Sequence, residues 1–250
     1  MNVSTIYILW LRQLKRYTRS RSRLIGSLGQ PILFLVALGF GFGPIYQKAG
    51  GGNYLSFIAP GIVAQGILFT AIFSGIELIW DRQFGFLKET LVAPVPRLSI
   101  MLGRTLGGAT IAFLQGIFIL LLSILFGFRP VSFIGLIPTL VLMLLTALLF
   151  TSVGTAIAST LEDFQGFQLI MNFLVMPLFF LSGALFPLQG IPPLLKVIAS
   201  IDPLSYAIDS FRYFMIGSSH FSIATDIGVL AILTMITIGI GSYLFSKIQL

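Results

Sequence analysis

Six runs of about twenty apolar residues constrain this chain more than any other feature. A hydrocarbon core about 30 Å thick takes roughly 20 helical residues to cross. The runs fall at about 24–43, 57–80, 105–127, 134–158, 167–186 and 226–246. Each is read as a helix, because an isolated strand in lipid leaves its backbone groups unpaired. Of 250 residues, 56% are hydrophobic and 9% charged, whereas a soluble domain carries about 25% charged residues. No soluble domain of this size has an interior large enough for so much apolar side chain. The expectation is an all-α polytopic membrane protein with six transmembrane helices, forming one domain over 1–250.

Composition also removes whole classes of chemistry. Cysteine is absent and histidine occurs once, at His220. Disulfides, thiolate metal sites and histidine relays are therefore not expected. No G-x-x-x-x-G-K-[ST] run exists, and no Gly-Lys pair, so the chain has no cradle for a nucleotide phosphate. No catalytic set, metal or cofactor of its own is expected, and the chain is not read as an enzyme. A net charge of +7 fits basic residues held against anionic lipid. It is not read as a nucleic-acid surface.

Lysine and arginine set the orientation. Arg12, Lys15, Arg16, Arg19, Arg21 and Arg23 precede the first run; Arg82, Lys88, Arg97 and Arg104 lie in the second connection; Lys247 follows the last run. With six crossings these eleven share one side, against Lys48, Arg129, Lys196 and Arg212 on the other. The positive-inside rule then places both termini in the cytoplasm of a multi-pass protein of the cell (inner or plasma) membrane. Residues 1–22 carry Ile6, Leu9, Trp10, Leu14 and Tyr17 at helical spacing. That pattern fits an amphipathic interfacial helix, or a basic tail that only sets topology. The run Leu24–Gly43 is too long for a signal-peptide h-region.

Polar residues inside the runs are few. Glu77 and Asp81 sit one helical turn apart near the cytoplasmic end of the second run, beside Arg82. They fit a structural ion pair, with Arg82 or the N-terminal arginines, or a gating element. Gln65, Gln115 and Asn172 lie deepest, as interhelical hydrogen-bond partners or as lining of a translocation path. Gly103/Gly107 and Gly154/Ala158 are small-xxx-small pairs, and Pro177 predicts a kink in the fifth span. Residues 187–225, which open on Pro187, are too apolar for an aqueous loop and too interrupted to span. Two half-helices, Pro192–Ser200 and Leu204–Ile216, are expected around the break at Asp202–Pro203. The second carries Tyr206, Asp209 and Arg212. A re-entrant outer hairpin fits, and so does an amphipathic outer loop.

The connection 81–104 has an apolar side (Phe84, Phe86, Leu87, Leu91, Val92) and a charged side (Arg82, Lys88, Glu89), and Pro94 ends any helix there. From physics alone it is either a lever for a cytosolic partner or a topological loop. The stretch Trp80–Gly103, WDRQFGFLKETLVAPVPRLSIMLG, closely resembles the cytoplasmic loop of type-2 ABC exporter permeases. The branch with the daunorubicin-resistance and nodulation-factor exporters is nearest. Leu181–Arg212, LSGALFPLQGIPPLLKVIASIDPLSYAIDSFR, resembles that family's outer signature.

The resemblance implies a permease dimer, either two identical chains or two different ones. Two ATP-binding subunits would carry the ATP and Mg. It makes Phe84–Pro94 the coupling helix, with Phe84, Phe86, Leu87, Lys88, Glu89, Leu91, Val92 and Pro94 as its contact residues. It makes Thr160–Gly166 a second, smaller contact. The implied cargo is amphipathic: a drug, a lipid or a lipid-linked glycan, moved outward. One departure is Asp202, where the family commonly has Asn before Pro-Leu. The competing reading is an ion-coupled secondary transporter or channel acting alone. It needs carboxylates or broken helices at the midplane, and the span carboxylates here lie near the cytoplasmic end. A membrane-bound enzyme ranks third, for want of a catalytic set.

Overall fold

The computed structural model describes residues 2–48, 50 and 52–248, with the backbone alone at 21–25. The side chains of Arg21 and Arg23, counted above as cytoplasmic charge, lie outside the described residues. Every regular element among those residues is a helix: α1 (Val3–Arg19), α2 (Arg21–Gly41), α3 (Gly43–Lys48), α4 (Tyr54–Phe73), α5 (Ile76–Gln83), α6 (Phe86–Val92), α7 (Arg97–Leu125), α8 (Leu136–Thr160), α9 (Phe164–Leu181), α10 (Pro193–Ile201), α11 (Pro203–Ile216) and α12 (Ile223–Ser246). Five stretches are long and apolar enough to cross a membrane: Tyr54–Gln83, which joins α4 and α5, then α7, α8, α9 and α12. The expected first run corresponds to α2, which spans 21 residues, Arg21–Gly41.

The core forms around α4, the most deeply buried of the long helices. Its residues from Ile58 to Leu68 are all buried, and it packs against α2, α7, α8 and α11. The chain bends between α4 and α5 at Ser74–Gly75. A Cβ on Gly75 would fall within 3 Å of the Gly154 backbone, and one on Gly154 within 3 Å of Ile72. The bend therefore crosses α8 backbone to backbone. At the periphery, α9 leaves Leu169 and Phe173 exposed.

The pair Gly103/Gly107 has a specific neighbour. A Cβ at Gly103 would meet Ile6 and Leu9, and one at Gly107 would meet Gln13. Asn2 N donates to Ser99 Oγ, Trp10 Nε1 to Thr110 Oγ1 and Tyr17 Oη to Gln115 Oε1, each at 3.0 Å. So α1 runs alongside the first two-thirds of α7, in the same direction. Its inward face is Leu9, Gln13 and Tyr17.

The connection expected at 81–104 is shorter in the structure. Helix α5 continues to Gln83 and α7 begins at Arg97. Arg104, expected as a loop charge, is instead buried inside α7 and bonded to Asp81 of α5. Neutralised charges do not end a helix, and that moved both boundaries. At the other end of the chain, Arg97 Nη1 donates to the carbonyls of Ser246 and Ile248. With Asn2 bonded to Ser99, the first and last described residues lie beside the start of α7.

Candidate functional site

Gly85 turns the chain from α5 into α6 with φ +83°, in the left-handed region that favours glycine. Helix α6 has seven residues, and Ala93 and Pro96 are extended beyond it. Leu87 is buried and Leu91 packs against the core, so these two fasten α6 to the body. Phe84, Phe86, Lys88, Glu89, Val92 and Pro94 are exposed. Phe84 and Val92 are 74% and 77% exposed. Phe86 lies under the Arg12 guanidinium, 5.6 Å from its ring centre.

Behind α6 the charges form a hub. Asp81 is 4% exposed and accepts from Arg12 Nη2 at 3.1 Å and from Arg104 Nη2 at 2.5 Å. Arg16 Nη1 lies 3.7 Å from the same carboxylate, and its Nε lies 4.0 Å from Glu77. Both carboxylates face arginines of α1, one of the two partner sets expected. Arg82 does not join them. It pairs with Glu162 at 2.8 Å and reaches the Leu161 carbonyl. Gln83 donates to the Glu162 carbonyl, and Trp80 stacks on Phe164. Asp163 caps α9 by accepting from Gly166 N. The end of α5 and the 160–166 turn thus form one platform. Nothing in the sequence pointed to Arg104 as the second partner of Asp81, because the pair spans two helices 23 residues apart.

The three deep polar residues separate. Gln115 accepts from Tyr17 and Ser27 and donates to the Ser27 carbonyl, so it ties α1, α2 and α7 together. Asn172 sits on the exposed face of α9. Gln65 borders a cavity of about 390 Å³ between α1, α2, α4, α5 and α9, along with Gln13, Phe69, Phe73 and Trp80. Neither amide atom of Gln65 has a partner among the described residues, nor has Gln13 Oε1.

The opposite end is held by Arg212. Its guanidinium donates to the carbonyls of Gly183, Ala184 and Phe57 at 2.8, 3.2 and 3.4 Å and lies 4.0 Å over the Phe57 ring. Asp209 accepts from the backbone amides of His220 and Phe221. Tyr206 donates to the Ser200 carbonyl and stacks on Phe221. Pro187 is exposed. Pro203 opens α11, and Asp202 caps it through Leu204 N at 2.8 Å. The two short helices α10 and α11 therefore meet at Asp202, as the sequence suggested.

Fold and site together define a polytopic helical membrane protein with a rigid platform at one end and no catalytic constellation among its described residues. Residues 4–216 match the family model described as ABC-2 type transporter, and the chain belongs to that family. It is 30% identical to a protein named putative transport permease ycf38 of Cyanophora paradoxa, over 98% of this chain and 89% of the relative. It is 30% identical to Nodulation protein J of Rhizobium leguminosarum bv. trifolii, over 92% and 86%. It is 27% identical to the inner membrane transport permease YadH of Escherichia coli K12, over 90% and 88%. The chain is thus a membrane-embedded, multi-pass transport permease, and membership of this family implies an ATP-binding partner subunit.

Proposed function

We propose that the chain is the permease of an exporter driven by ATP hydrolysed, with Mg, in two copies of a partner subunit. A second permease chain, identical to this one, completes the path. In this reading α2 is the sixth crossing, α1 enters from the cytoplasmic boundary along α7, both termini are cytoplasmic, and α10–α11 form a re-entrant outer hairpin. The cargo is amphipathic and moves outward.

One observation carries the reading: a short helix fixed by Leu87 and Leu91 exposes Val92 at its end, and the turn that leads into it exposes Phe84. Exposed apolar side chains on a rigid element fit a protein groove. Motion of α6 would pass through α5 and α7, both locked to α1 through Asp81. Glu77 and Asp81, the two carboxylates of the Tyr54–Gln83 span, already face arginines.

The test is to co-express the chain with its ATP-binding subunit and compare Phe84→Asp and Val92→Asp with the parent. Both sites are exposed, so the permease still folds. Assembly and ATP-dependent export are expected to fall at least about tenfold, the loss of roughly 1.4 kcal/mol or more typical of an interface anchor. Unchanged co-purification and export in both variants would rule out α6 as the coupling element.

A further inference from the structure

Helix α12 is fastened at both ends, and one fastening comes from the α6–α7 connection. An α-helix leaves its last four carbonyls without intrahelical partners. The last turn of α12 holds no basic residue, and the ammonium of Lys247, which follows it, lies 4.4 Å over the Tyr243 ring. The cation that reaches the carbonyls is Arg97, the first residue of α7. Its Nη1 donates to the carbonyls of Ser246 and Ile248 at 2.5 and 3.0 Å. A positive group there also meets the negative end of the helix dipole. One turn farther along α7, Met101 Cε lies 2.8 Å from where a Cβ on Gly241 would fall, so α12 lies close against the start of α7. At the other end of α12, Asp209 of α11 accepts from the amides of His220 and Phe221, and Tyr206 stacks on Phe221. Those two residues lead directly into α12, which begins at Ile223.

Between these fastenings α12 runs for 24 residues without a proline, about 36 Å at 1.5 Å per residue. Ser152 and Thr237 share a hydrogen bond of 2.6 Å that fixes its middle to α8. The link from α6 to Arg97 is only Ala93-Pro94-Val95-Pro96. Both prolines have a fixed φ, Ala93 and Pro96 are extended, and Val95 packs against the core. A stiff tether of four residues therefore joins α6 to the guanidinium that grips α12, and α12 leads to α11. Arg212 of α11 in turn holds the carbonyls of Gly183 and Ala184. We propose that Arg97 is a positioning residue that makes α12 follow α6, and that α12 carries the movement to α11 and the 183–185 turn. The inference rests on the permease reading, in which a partner subunit moves α6, and adds a route to it. This route leaves the connection on its α7 side, separate from the Asp81 hub that ties α5 to α1.

The test uses the full-length chain in complex with its ATP-binding subunit in nanodiscs. Ser182→Cys places a single thiol in a permease that has no cysteine, at a site 1% exposed beside the Arg212 clamp. The rate at which a maleimide labels the permease is measured without nucleotide and with ATP plus vanadate. Trapping the partner with vanadate is expected to change that rate when Arg97 is present. In Arg97→Ala the change should shrink about tenfold, as follows from losing hydrogen bonds to a charged group. Arg97→Lys should restore part of it, because an ammonium also donates to carbonyls. ATP hydrolysis, co-purification and the unfolding midpoint should persist in both variants. An undiminished response in Arg97→Ala would overturn the assignment. So would a loss that merely tracks a lowered midpoint, a loss that Arg97→Lys leaves unrepaired, or no response with Arg97 in place. The permease reading fails by a different result, the absence of any complex with the ATP-binding subunit when Arg97 is intact.

Discussion

Arg104 and Asp81 face each other across α5 and α7, with side chains only 5% and 6% exposed. Neither could sit there alone. Removing one member of a buried pair strands the other and typically costs about 3–5 kcal/mol, whereas replacing both with apolar groups of similar volume is often neutral. Asp81→Leu is therefore expected to lower the thermal unfolding midpoint in detergent sharply. Asp81→Leu combined with Arg104→Met should recover much of the loss, although Arg12 and Arg16 also lose their carboxylate. A double variant no better than the single one would mean that α1 alone uses Asp81. The carboxylates themselves were legible in the sequence as costly groups near a span end. Arg104 was not, because a basic residue after a proline-rich connection looks like loop charge until its counter-charge is placed. Gln65 and Gln115 show the same limit. Both are glutamines in apolar runs, and only packing distinguishes the satisfied amide of Gln115 from the unpaired one of Gln65.

At the level of elements, the orientation of α6 depends on Gly85. A Cβ there meets nothing within 4 Å, so Gly85→Ala meets no steric clash. What it adds is left-handed backbone strain of about 1–2 kcal/mol, which the chain can relieve by re-aiming α6. The expected outcome is a clear loss of ATPase stimulation by the reconstituted permease with little change in its unfolding midpoint. The reverse pattern would mean that the turn serves folding alone. Gly107 makes the opposite case, since its Cβ would fall 2.5 Å from Gln13 Oε1 and 2.9 Å from Gln13 Cβ. Gly107→Val should push α1 off α7 and draw Arg12 and Arg16 away from Asp81. The unfolding midpoint should fall, and α1 should become sensitive to protease in limited digestion. The small-xxx-small pattern was visible in the sequence, but not its partner. Such a pattern reports a close approach without saying which helix approaches, and here it is α1. The two short helices α10 and α11 were legible almost to the residue, because Pro193, Asp202 and Pro203 fix the helix ends by local chemistry. The ends of α5 and α7 depended on a tertiary ion pair, and there local reading failed.

For the whole molecule, the apolar runs transferred well to helices. Five appear as stretches able to cross a membrane, and the sixth run became α2, with Pro31 inside it. Length alone does not decide whether α2 crosses, but connectivity gives a sharper constraint. The bonds Asn2–Ser99 and Arg97–Ser246 hold the first and last described residues and the start of α7 at one end of the bundle. Arg212 and Tyr54 hold the 183–185 turn against α4 at the other. A chain that starts and finishes at the same end crosses an even number of times, which supports the proposed reading of α2 as the sixth crossing. Because the chain has no cysteine, single introduced thiols report position without background. Thiols placed at Ser4, Val92 and Lys247 are expected to react with a membrane-impermeant maleimide only in inside-out vesicles. One at Gln189 should react only in right-side-out vesicles. Five crossings would put Ser4 on the side opposite Val92 and Lys247. Labelling of Val92 from outside would place α6 beyond reach of any cytosolic ATPase and remove the proposed coupling helix with it.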